Sequence, residues 1–349
     1  MSLTVLALET SCDETSAAVV RRDGERCTLE GLAILSQDIH RIFGGVVPEL
    51  ASRAHLETVG PVCDEALKQA DCTLEAIDGI AVTHGPGLLG ALLVGVTWAK
   101  TLAWREGLPL IGVHHLEGHL FAPVLEDPTV QPPFTALLVS GGHTMLLDVP
   151  TWGDYRLLGA TKDDAAGEAF DKVGTLLGLD YPAGAAMERL AAKGDPGRYT
   201  FPRPLLRGIA EEDRWNFSFS GLKTALLRAV QKCEDVDAQR AHLARGFQDA
   251  AIEVLIRKTA DAALEYQRDL VVLGGGVACN RALTVAMREQ MPAGTRVAVA
   301  SPRLNTDNAA MIGAAGSWRL AAGERHDSTL EARDSLPLPG LAHPTGAVP

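Results

Sequence analysis

Two stretches of the chain share one design. Residues 4–20 and 135–149 each read as an apolar strand, a polar turn and a second apolar strand, with short arms bounded by turn residues as a hairpin requires. A hairpin design used twice implies an internal duplication, one half starting at each copy, and no other feature narrows the possible folds so far. Two unrelated surface hairpins are the alternative reading. If the copies face each other they frame a cleft between lobes. Their tips carry hydroxyls, carboxylates and glycines, where backbone N–H groups can cradle phosphates.

The length, 349 residues, suits two domains or one large α/β unit. Hydrophobic residues at 46%, aromatics at only 5% and 35 glycines fit a soluble α/β enzyme and exclude a disordered or fibrous chain. The N-terminus enters an apolar strand without the basic region or cleavage site of a signal peptide. The longest apolar window, residues 87–99, is closed by Lys100 and is too short and glycine-rich to span a bilayer. A cytoplasmic protein with no membrane segment is expected. The six cysteines show no Cys-x-x-Cys spacing, which fits reduced thiols rather than a disulfide framework. A net charge of -12 gives no general attraction for nucleic acid, so an RNA partner needs a local basic face or a helper protein.

The apolar run 108–113 reads as a buried strand, and His115-Leu116-Glu117-Gly118-His119 after it should open a helix. At about 100° per residue, histidines four apart lie about 40° apart on that helix and can share one metal ion. A metallopeptidase helix carries its general base directly after the first histidine. Glu117 is two residues on, about 200° round, and faces away. An amphipathic helix with merely solvated histidines stays open as the other reading. Residues 163–172 read as an acidic helix with Asp164, Glu168 and Asp171 on one face, followed by a glycine turn at 178–184 suited to closing over a ligand. Between Lys193 and Arg228, Arg198, Arg203, Arg207, Arg214 and Lys223 alternate with Tyr199, Phe201, Trp215, Phe217 and Phe219. That composition binds and stacks on single-stranded RNA, although core packing also explains the aromatics. Residues 270–281 run from a buried strand through Gly274-Gly275-Gly276 into a helix, where missing side chains let a purine or ribose approach the backbone. Thr306 or Asp307 can cap the helix that follows. Residues 326–349 lack periodicity and are expected to form an extended tail.

Five segments together resemble the TsaD family, the bacterial tRNA threonylcarbamoyladenosine transferases related to Kae-type proteins. They are His-His-Leu-Glu-Gly-His at 114–119, Leu-Val-Ser-Gly-Gly-His-Thr at 138–144, Asp-Asp-Ala-Ala-Gly-Glu-Ala-Phe-Asp-Lys at 163–172, Phe-Ser-Phe-Ser-Gly-Leu-Lys-Thr at 217–224 and Thr-Asp-Asn at 306–308. The resemblance runs from about Leu6 to Gly323, and Ala183 and Ala185 stand where some relatives carry glycine and proline. It implies an α/β fold of the actin-like, Hsp70-like ATPase type, with two ribonuclease-H-like lobes around a nucleotide cleft. The N-terminal lobe would cover residues 1–112 and be completed by a helix from 307–323. The C-terminal lobe would cover 113–306, with a helical insertion at about 185–260.

The implied activity is transfer of a threonylcarbamoyl group from threonylcarbamoyl-AMP to the exocyclic amine of adenosine 37 in tRNAs reading A-starting codons, forming t6A and releasing AMP. The resemblance assigns one iron or zinc ion to His115, His119 and Asp307, which makes Thr306 the cap. Leu138, Val139, Ser140, Gly141 and Gly142 would line the phosphate and acyl site, Asp171 and Gly184 the ribose, and Gly275 and Asn280 the adenine. Asp13 or Glu14, on the first hairpin tip, would organise the accepting amine. The implied partners are tRNA, a TsaB-like paralogue paired through the N-terminal lobe, a TsaE-like ATPase and a synthase that makes threonylcarbamoyl-AMP. The rival readings are a metallopeptidase of the His-x-x-x-His type and a non-catalytic actin-like ATPase scaffold.

Overall fold

The computed structural model describes residues 2–208 and 210–342, which form two compact units: one of residues up to 131 with 300–339, the other of residues 132–299 with the chain from 340.

In the first unit β1 (Ser2–Glu9), β2 (Glu14–Asp23) and β3 (Arg26–Ser36) form an antiparallel meander. Then α1 (Pro48–Gln69) leads to β4 (Gly79–Gly85), and α2 (Leu89–Glu106) leads to β5 (Leu110–His114), which runs straight into α3 (His115–Phe121). The strand order is β3-β2-β1-β4-β5, with β1, β4 and β5 parallel. As the middle strand, β1 is covered on both faces and reads as an unbroken apolar run, Val5 to Leu8, each 0% exposed. Leu6 and Leu8 share a core with Val59 and Val62 of α1 and Val96 and Ala99 of α2. Ala7 points the other way, beside Val20, under the helix Ala309–Ala321. Small residues let that helix come close: a Cβ on Gly316 would sit 2.5 Å from the Cβ of Ala81.

The second unit repeats the plan. A meander of β6 (Phe134–Val139), β7 (Thr144–Thr151) and β8 (Asp154–Ala160) is followed by α4 (Ala166–Leu176), α5 (Gly184–Ala191), α6 (Ser220–Gln231) and α7 (Val236–Glu265). Then come β9 (Leu270–Gly274), α8 (Arg281–Gln290) and β10 (Arg296–Val299). Among the described residues the order is β10-β9-β6-β7-β8, with β11 (Leu341–Ala342) added beside β8. Strands β6, β9 and β10 are parallel and the meander is antiparallel, so order and direction match the first sheet. Twin hairpins have therefore produced twin sheets.

The core of this unit takes up the aromatics of the basic stretch. Phe201 is 5% exposed, Phe217 and Phe219 are 0% exposed, and all three pack with Phe170 and Phe247. Trp215 is partly buried against the same core, with the Arg214 guanidinium 4.5 Å above its ring. The expectation that these aromatics stack on RNA is corrected for Phe201, Phe217 and Phe219, which are buried. Much of the positive charge is also spent locally: Arg203 pairs with Glu253, Arg214 with Glu265 and Lys223 with Asp164, while Arg207 and Arg228 stay exposed.

The chain re-enters the first unit through α9 (Pro302–Asn305) and α10 (Ala309–Ala321). Unit boundaries at 131/132 and 299/300 thus differ from the expected 112/113 and 306/307, because α3 and the turn after it pack on α10. Nor do residues 326–339 trail off. They strap the ends of β4 and β5: the His326 N–H donates to Leu110 O at 2.7 Å, the Arg333 N–H to His84 O at 2.8 Å, and Leu330 and Leu338 are buried. Gly85 makes room for the strap, since a Cβ there would lie 2.4 Å from Arg333 O. Residues 343–349 of the expected tail lie outside the described residues. Among the described residues no helix is long and apolar enough to cross a membrane.

Candidate metal and nucleotide sites

Helix α3 is short and wholly buried. The His114 side chain caps it, Nδ1 accepting from the Leu116 N–H at 3.2 Å, while Nε2 donates to Leu336 O of the strap at 3.0 Å. Gly118 lets α3 lie against α10, for a Cβ there would be 2.8 Å from Ile312. This contact brings the loop before α10 to the histidines. His115 Nε2 lies 3.5 Å and His119 Nε2 3.3 Å from Asp307 Oδ1, and one ligand atom from each of the three residues falls within 4.8 Å of the others. Asn308, not Thr306 or Asp307, caps α10: its Oδ1 accepts from the Met311 N–H at 3.1 Å. The expected Thr306 cap is corrected, and the Asp307 carboxylate is not spent on capping.

Two observations test whether a cation fits here. His119 is 0% exposed, yet neither of its ring nitrogens makes a hydrogen bond among the described residues, an orphaned polar group of the kind a metal ion satisfies. Negative charge is also in surplus. Burial opposes charge on His115, but Asp307 and Glu9 together push its pKa up to about 9. Glu14 is pushed up to about 9 by burial, then by Asp307 and by Asp13, to which its side chain is hydrogen-bonded. Two imidazoles and one carboxylate suit zinc or ferrous iron and leave coordination positions open.

Glu117 has a different task from a peptidase base. It is 0% exposed, and both its oxygens accept from Arg319, Nε and Nη2 each at 2.7 Å. The pair bolts α3 to α10, the two helices beside the three ligands. A carboxylate so engaged is not poised to activate water, and the metallopeptidase reading loses its base. Neither Arg319 nor Glu9, which holds His115 from behind, was singled out in the sequence. Both partners of each pair are far apart in the chain, and only the folded unit makes the link.

In the second unit the candidate residues lie at the end of β6, on α4, at the start of α5 and between β9 and α8, and they do unequal work. Leu138 and Val139 are core residues of β6, so only their backbone is near the tip. The Ser140 N–H donates to His143 O, while Gly141 and Gly142 are exposed with open space around them. Asp171 Oδ1 accepts from the Ala183 N–H at 2.8 Å and so ties α4 to the start of α5 at Gly184; burial nonetheless raises its pKa. Gly275 has φ +92°, and a Cβ would lie 2.4 Å from Val139 O, so the fold itself demands glycine there. Asn280 caps α8 through Oδ1 and donates from Nδ2 to Gln248. Asp164, expected on the α4 face, precedes the helix and pairs with Lys172 and Lys223.

Comparisons with known proteins identify the family of the chain. The family model described as TsaD, tRNA N6-adenosine threonylcarbamoyltransferase, matches residues 28–314. A protein of Gemmatimonas aurantiaca with that name is 58% identical, the match covering 97% of this chain and 98% of the relative. Another of Syntrophotalea carbinolica is 52% identical, with 96% of each chain covered. Among solved structures, HypF of T. kodakarensis aligns with TM-score 0.62 at 14% identity over 92% of this chain and 48% of its own. Component A of the Acidaminococcus fermentans (R)-2-hydroxyglutaryl-CoA dehydratase aligns with TM-score 0.52 at 13% identity over 92% and 99%. These two show the fold, that of the actin-like ATPases. The extent and identity of the sequence matches place the chain in the TsaD family of tRNA N6-adenosine threonylcarbamoyltransferases.

Proposed function

We propose that this protein transfers a threonylcarbamoyl group from threonylcarbamoyl-AMP to N6 of adenosine 37 in tRNAs reading A-starting codons. The observation that carries the reading is the convergence of His115, His119 and Asp307 around an orphaned buried imidazole in a chain of this family. In the reaction the bond from N6 to the carbamoyl carbon forms, the bond from that carbon to the phosphate oxygen breaks, AMP leaves, and N6 gives up one proton. A carbamoyl adenylate is already activated, so this step consumes no ATP.

His115, His119 and Asp307 would hold the ion, iron or zinc, which when bound would supply Lewis acidity toward the carbamoyl carbonyl. Asp13 and Glu14, hydrogen-bonded to each other at the tip of the β1–β2 hairpin, organise the accepting amine. An adenine amine is a weak nucleophile, so positioning supplies much of the rate. In the second unit the N–H groups of Gly141 and Gly142 stabilise negative charge on carbonyl or phosphate. Asp171 and Gly184 take the ribose, and the Gly275 turn with Asn280 takes the adenine.

The protein works with a TsaB-like paralogue, a TsaE-like ATPase and a synthase, in the cytoplasm where tRNA is found. An apolar groove of about 410 Å³ between α1 and α2 supports pairing through the first unit. Leu56, Leu93 and Trp98 line it and are 70%, 48% and 39% exposed. Incubating the protein with tRNA, threonine, bicarbonate, ATP and those partners tests the whole reading by mass spectrometry. The modified adenosine is expected. Its absence, with all partners active toward a known family member, overturns the proposal.

A further inference from the structure

Glu9 ends β1, is 0% exposed, and carries a carboxylate where an apolar strand runs out. Such a group must be matched by donors. Three converge on it: the Ser11 N–H on Oε1 at 2.5 Å, the Thr83 hydroxyl on Oε2 at 2.5 Å, and His115 Nδ1 on Oε2 at 3.2 Å. A carboxylate only accepts, so the shared proton sits on Nδ1 of His115. Nε2 is the nitrogen 3.5 Å from Asp307. Among the described residues His119 has no such partner at either nitrogen.

Building on the metal reading above, we infer that Glu9 is the positioning residue of the metal centre. It fixes the His115 tautomer and ring angle so that Nε2 presents its lone pair to the ion. The two histidines are thus unequal: His115 is set in advance, and His119 takes its tautomer from the ion. Outer carboxylates of this kind raise ligand basicity, and their loss lowers metal affinity about 10–100-fold. Ser11 Oγ also lies 3.2 Å from His115 Nδ1 and is the competing candidate, so the test separates them.

The test uses the metal-stripped full chain, titrated with zinc against a chelator. Glu9→Gln keeps the shape and removes the charge, and is expected to bind zinc about 10–100-fold more weakly. Ser11→Ala and Thr83→Val leave the Glu9 charge in place and are expected to stay within about threefold of the parent, well short of that loss. A second readout needs no substitution: nitrogen-15 spectra of the zinc-loaded parent should show His115 protonated at Nδ1, with the far-downfield proton of a carboxylate partner. Parent-like affinity in Glu9→Gln, or a His115 protonated at Nε2, overturns the inference while leaving the metal reading intact. Failure of the parent to bind zinc or ferrous iron overturns both.

Discussion

Replacing Arg319 by Met asks what Glu117 is for. The guanidinium is 7% exposed and its partner carboxylate 0%, so the substitution strands a buried charge that water cannot reach. Breaking a buried pair from one side costs about 3–5 kcal/mol, whereas replacing both members by apolar groups is often neutral. In a unit of this size that corresponds to a fall in the unfolding midpoint of about 6–20 °C. Glu117→Leu should cost less than Arg319→Met, because Arg319 keeps a second ion pair with Glu324 at the surface. The double variant Glu117→Leu with Arg319→Met should recover most of the loss. Thermal unfolding of the metal-stripped chain measures all three, and metal content measured alongside reports whether α3 keeps its place on α10. A loss below about 1 kcal/mol for Arg319→Met would refute the reasoning, being no more than an exposed pair is worth. So would a Glu117→Gln variant of parental stability and metal content that transfers nothing, since it would return Glu117 to the chemistry.

Three other outcomes are expected. His119→Ala and Asp307→Ala should each lose the metal and the transferase activity while keeping the circular dichroism of the parent, as the surrounding core is complete without the ion; full metal occupancy in both sinks the ligand assignment. Lys258 is 2% exposed, and burial holds its pKa at about 8 instead of 10.5, opposed in part by Asp213 and Asp261. Below pH 8 both folded and unfolded chains carry the proton and the burden is complete; between about 8 and 10.5 the folded chain releases it first, so stability should rise with pH by up to about 3 kcal/mol. Urea unfolding across that range should show the rise in the parent and not in Lys258→Met, and parallel profiles would contradict it. For RNA, Arg207→Ala should weaken tRNA binding and flatten the plot of log affinity against log salt by about 0.7–0.9, the share of one phosphate contact. An unchanged slope, measured with the partner proteins present, moves the RNA face elsewhere.

The elements whose contacts repeat along the chain were legible in the sequence. The apolar arms and polar turns of residues 4–20 and 135–149 predict two hairpins; the third strand that turns each into a meander, β3 and β8, was not read from the sequence. The histidine spacing puts His115 and His119 on one side of a helix, and family resemblance supplies Asp307. What was hidden depends on pairs remote in sequence. Glu9 and His115 are 106 residues apart, and Glu117 and Arg319 are 202 apart, so no local pattern joins them. The strap was unreadable for the same reason: on its own side the bonds to β4 and β5 are made mostly by backbone, which leaves no side-chain periodicity. The aromatics between 199 and 219 misled because a polar, arginine-rich neighbourhood looks like surface, whereas the rings turn inward and the arginines find acidic partners.

The most direct test of the central claim supplies threonylcarbamoyl-AMP already made, with tRNA, the metal-loaded protein and its partner proteins, and follows AMP and modified adenosine together in time. The account predicts one AMP released for each threonylcarbamoyl group on adenosine 37, and neither product from the Asp307→Ala variant. AMP release without modified tRNA, or modification at parental rate in that variant, would contradict it.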